Sequence, residues 1–170
     1  MAHELDNYKA MLTMLFGQVD ETLKGISPAA MLYVPFVGDA ASGETASAGW
    51  FLAHGVSSTV YLLRLAQFAA GQIPYDAVSG DQGEDEFTPA NQDPERMRER
   101  SRNALATSLA VMDALGHANL DGEVPHPTRA GRTLRARYCI THAIDHLSQH
   151  IGHAQVTRQI AERMGGRPIA

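Results

Sequence analysis

"THAIDHLSQHIGHA", residues 141–154, holds four of the chain's eight histidines: His142, His146, His150 and His153. The run lies inside a helix expected from about Thr133 to Met164, where Gly165 and Gly166 stop it and Arg158 and Arg163 suit its negative end. Three further helices are expected upstream. Leu5, Tyr8, Met11, Leu12, Leu15, Val19 and Leu23 recur at spacings of three and four, which predicts a helix over residues 4–24 ending near Gly25. The proline-free run from about Ala46 to Gln72, with Gly55 as its one interior glycine, predicts a second. Asp93 as N-cap and Pro94 at the first helical position open a third, over about 94–116.

The connections are long. "SPAAMLYVPFVGDAASGETAS" reads as a loop with a packed middle, 73–92 as an exposed acidic loop with "SGDQGEDEF" at its centre, and 117–131 as a third loop. The alternating charges of Arg96–Arg102 read as an exposed helix face. With no repeat and no strand pattern, the expected fold is all-α, a four-helix bundle in one domain spanning residues 1–170. About 20 residues between the second and third helices suffice to return along a helix, so an up-down-down-up order is permitted.

Composition narrows the function. Net charge is -5 with a pI near 5.9, so no nucleic-acid partner is expected. No apolar run is long enough for a membrane span, and "MAHELDNYKAMLTMLF" is unlike a signal peptide. The lone cysteine, Cys139, cannot form an internal disulfide and is read as inert packing; a cytoplasmic location is expected.

Residues four apart on a helix lie about 40° from each other and about 6 Å along the axis, so their imidazoles can converge on one ion. Both His142/His146 and His146/His150 meet this spacing, whereas all three together span about 12 Å. A catalytic zinc or related ion is commonly held by three neutral imidazoles with a position left open. The third should come from another helix, and His54, mid-helix in "WFLAHGVSS", is the candidate; His3, His117 and His126 lie at a chain end or in loops. The plainer alternative is a hydrogen-bonded core histidine at 54. A zincin would need H-E-x-x-H, but "HAIDH" carries Ala143 and "HLSQH" carries Leu147 at that position. A di-iron bundle would need E-x-x-H on two helices, and the only match, "EVPH", lies in a loop.

The histidine in "WFLAHGV" together with "HLSQHIGH", an H-x3-H-x-G-[QH] signature, resembles the DinB/YfiT-like superfamily of bacterial four-helix-bundle metalloproteins. The likeness covers essentially the whole chain. It implies a divalent metal ion, zinc or nickel, held by His54, His146 and His150, with His142 as the alternative ligand. His153 stands where many members have glutamine and is the candidate proton carrier; Asp145 and Gln149 are candidate supports, and Trp50 and Tyr61 candidate pocket walls. Members with assigned activity are thiol S-transferases using mycothiol, bacillithiol or glutathione. The expectation is therefore a metal-dependent transferase or hydrolase acting on a low-molecular-weight thiol and an electrophile, in a chain able to form a homodimer. Two rivals stand beside it: a non-enzymatic, stress-related metal binder with a structural or sensing site, and a helical interaction protein whose histidines form a pH switch.

Overall fold

The structure, a computed structural model, describes residues 2–35, 46–81, 88, 93–116 and 118–165. Residues 82–87 at the centre of the acidic loop, part of the first loop, and His117 lie outside these, as does the His3 side chain. Four long helices carry the fold: α1 (Ala2–Leu23), α3 (Ala48–Ala69), α4 (Pro94–Leu115) and α5 (Ala136–Met164), with a short α2 (Pro28–Leu32) between the first two. A two-stranded antiparallel hairpin, β1 (Val124–Pro125) with β2 (Thr133–Leu134), precedes α5.

Local chemistry sets the boundaries. Ser47 Oγ accepts from the Trp50 N–H, so α3 begins at Ala48 rather than Ala46. Asp93 Oδ1 accepts from the N–H groups of Glu95 and Arg96, and Pro94 follows at the first helical position. Gly165, with φ 58°, closes α5 in the left-handed conformation. That helix starts at Ala136, not Thr133, because Thr133 and Leu134 pair with the opposite strand of the hairpin.

Contacts between helix ends give their directions. Near its start α1 meets the end of α4, through Lys9 and Asp113 (3.0 Å), and near its end it meets the start of α4, through Leu23 O and Arg98. Those two helices are antiparallel. Arg137 pairs with Glu4, and Arg158 Nη1 donates to Thr22 O at 2.6 Å, so α5 runs parallel to α1. Gln72, just past α3, donates to Ala114 O at the end of α4, which aligns those two. Phe51 faces His153 while His54 faces His150 and His146, so α3 and α5 are antiparallel.

One continuous apolar cluster draws on all the long helices. Leu12, Leu23, Leu52, Leu63, Met97, Met112, Ile140, Leu147 and Ile151 are fully buried, and each contributes about 2 kcal/mol by leaving water. In the described part of the first loop Met31 and Tyr33 are buried; the middle expected to be packed, residues 36–45, lies outside the described residues. The exposed face expected over Arg96–Arg102 holds for Arg96, Glu99 and Arg102 but not for Arg100, which is only 4% exposed. Its guanidinium takes both oxygens of Asp81, each at 3.0 Å, and thereby ties the second loop to α4. Among the described residues, no helix is long and apolar enough to cross a membrane.

Candidate metal centre

The centre forms where α3 and α5 approach closely at Gly55. Gly55 allows this: a Cβ there would sit 3.0 Å from His150 Cβ and 3.3 Å from Leu147 Cδ1. A side chain at this position would push the helices apart, so the glycine brings His54 against the α5 histidines.

His54, His146 and His150 converge, each offering a ligand atom within 4.8 Å of the others. His146 and His150 place their Nε2 atoms 3.2 Å apart. Two nitrogens bound tetrahedrally to one zinc at about 2.05 Å each would be about 3.3 Å apart, so this spacing fits ligation of one ion. The ring centroid of His54 lies 5.0 Å from that of His146 and 4.8 Å from that of His150. Ser58 Oγ, 3.5 Å from His54 Nδ1, helps orient the ring.

Burial keeps these rings neutral. It lowers the pKa of His54, and lowers those of His146 and His150 to about 4, with neighbouring imidazoles adding to the effect on the latter two. The Nδ1 atoms of His146 and His150 are buried without a hydrogen-bond partner. Three crowded, neutral imidazoles are costly as core residues, whereas the facing Nε2 atoms of His146 and His150, with His54 beside them, offer lone pairs that suit a divalent ion. The residues present therefore fit the implied metal.

The other sequence candidates fall around this cluster. His142 is outside the converging set, with its ring 5.6 Å from His146 and stacked on Tyr138. His153 is exposed at the rim, with its ring 5.9 Å from His150. Asp145 and Gln149 bond to each other at 2.8 Å on the exposed face and neither hydrogen-bonds a clustered ring. Cys139 is buried, and burial raises its thiol pKa to about 11, as suits inert packing.

Trp50 stacks on His54 at 5.0 Å with 22° between the planes. Tyr61 lines a cavity of about 480 Å³ that His142 also borders. Sequence reasoning missed Phe51, which packs against both His150 (5.8 Å) and His153 (5.0 Å). Its place three residues before His54 was the available signal. It also missed the hairpin that walls the cavity, because two-residue strands carry no readable period.

The family model of the DinB superfamily matches residues 12–154. No curated protein and no solved structure matches the chain.

Proposed function

The chain belongs to the DinB superfamily, and from that premise we propose that it is a metal-dependent enzyme of the thiol S-transferase type. His54, His146 and His150 are its metal ligands, with zinc or nickel as the ion. The observation that carries this reading is the convergence of three neutral imidazoles from two helices, with the neighbouring His142 bordering a cavity. When bound, the ion supplies a Lewis acid that lowers the pKa of a thiol or water toward neutrality.

The protein's own groups do the rest. Burial holds the three rings unprotonated at neutral pH, so no proton has to leave before they ligate. Trp50 and Phe51 cover the faces of His54 and His150 and exclude water from that side. The exposed His153 would accept the thiol proton on a ring nitrogen and pass it to solvent, while the sulfur bonds to the electrophilic carbon and the bond to the leaving group breaks, that group departing with the electron pair.

The test supplies zinc- or nickel-loaded protein with mycothiol, bacillithiol or glutathione and an electrophile whose conjugate fluoresces. Turnover that disappears in His150→Ala, with helicity intact, supports the transferase. Stoichiometric metal with no turnover for any of the three thiols would instead favour a structural or sensing site.

A further inference from the structure

We propose that the cavity between the hairpin, α3 and α5 is a subsite for the oxyanion of a small molecule, a carboxylate or a phosphate, whose other end reaches the three-histidine centre. This rests on the reading of that centre as the reacting end. The cavity's volume, about 480 Å³, falls within the usual range of about 300–1,000 Å³ for small-molecule sites.

Its charge is opposite to that of the whole protein. The chain carries a net -5, yet Arg129, Arg132 and Arg135 all line this cavity against one carboxylate, Glu123. Arg135 takes that carboxylate. Among the described residues, Arg129 and Arg132 have no acidic partner. Two planar guanidinium forks left unpaired in a concave wall match an oxyanion with several acceptor oxygens.

The loop that carries them is built, not loose. Arg132 N–H donates to Arg129 O at 3.1 Å, His126 N–H donates to Arg132 O at 2.8 Å, and His126 Nδ1 accepts from the Thr128 N–H at 3.2 Å. Gly131, with φ 73°, supplies the positive φ of the turn. On the opposite wall, burial and the hydrogen bond that the Tyr61 hydroxyl makes to Tyr75 raise the pKa of Tyr61, and the nearby Arg129 guanidinium opposes that rise.

A path joins the subsite to the centre. Tyr138, 60% exposed, stacks on His142 at 5.7 Å with 20° between the rings, and both line the cavity. His142 in turn touches His146, their ring centroids 5.6 Å apart. An anion clamped by Arg129 and Arg132 would lay the rest of its molecule along this aromatic wall toward the ligands. That gives His142 a positioning role and explains an imidazole one turn before the converging set.

Calorimetric titration of zinc-free and zinc-loaded protein with succinate and with inorganic phosphate tests the subsite. The expected result is saturable binding in both forms that weakens at least tenfold in the Arg129→Ala/Arg132→Ala double variant, with zinc stoichiometry unchanged. Succinate tighter than phosphate marks a carboxylate site, and the reverse order a phosphate site. Binding that requires zinc and ignores the double substitution places the anion at the metal and overturns the subsite while the metal reading stands. No binding of either probe also overturns it. Arginine-dependent binding in a protein that takes up no zinc upholds the subsite and overturns the metal reading alone. Because both arginines are exposed, the variant should keep the wild-type melting temperature, and Arg129→Lys/Arg132→Lys should retain part of the binding.

Discussion

Gly55 and His150 meet across the α3–α5 interface so closely that a Cβ on the glycine would lie 3.0 Å from the histidine's Cβ. The obstructing atom is fixed to the α5 backbone, so it cannot swing aside as a flexible side-chain tip would. Gly55→Ala gains about 1 kcal/mol of helix propensity, which offsets strain in the fold but not displacement of the ligand. The variant should therefore melt near the wild-type temperature and bind zinc roughly tenfold more weakly, as read by competition with a chelating dye. Unchanged affinity would show that the close approach does not set the ligand geometry.

The metal assignment predicts a sharp division among five histidines. His54→Ala, His146→Ala and His150→Ala should each weaken zinc binding by more than about a hundredfold, since even losing a group behind a ligand commonly costs about 10–100-fold. His142→Ala and His153→Ala should retain near-stoichiometric metal by elemental analysis after dialysis. If His142→Ala loses metal and His150→Ala keeps it, the ligand pair is the earlier one on the helix.

Spacing alone could not choose between those pairs, because both are four residues apart. The choice depends on where α3 sets His54, a tertiary fact, with its centroid 4.8 Å from that of His150. What sequence shows well is local: the Asp93–Pro94 start of α4, the Gly165 stop of α5 and the apolar period of α1. Ser27–Pro28 carried the same start signal as Asp93–Pro94, and α2 follows it with Ser27 capping Ala30 N–H. It was hidden inside a proline- and glycine-rich stretch. Arg100 was misread for a different reason: its partner, Asp81, is 19 residues away, and alternating Arg and Glu look like a solvated face until that loop folds over them.

The Arg100–Asp81 pair makes its own prediction. Both oxygens of Asp81 are engaged and Arg100 is almost fully buried. Removing the carboxylate from a buried pair costs more than replacing the pair with apolar groups. Asp81→Ala should lower stability by about 3 kcal/mol in urea titration, and Arg100→Met/Asp81→Ala should recover part of that loss. A double variant less stable than Asp81→Ala alone would mean that the guanidinium stabilises the fold through contacts other than Asp81.

Acid should destabilise the metal-free protein before its carboxylates titrate. In the folded chain burial holds His146 and His150 at a pKa of about 4, against 6.5 for a free imidazole. Between those values the unfolded chain binds protons that the folded chain refuses, so stability rises with pH. The contribution is complete above about pH 6.5 and is lost as pH falls toward about 4. Melting temperature should therefore drop from pH 6.5 to 5, a window above the ordinary carboxylate range of about 4. The drop should be shallower in His150→Ala, which removes one of the responsible groups. Bound zinc should resist the change at first and then be released, because protons compete for the same nitrogens. An equal slope in wild type, His146→Ala and His150→Ala would assign the acid sensitivity to groups other than these two rings.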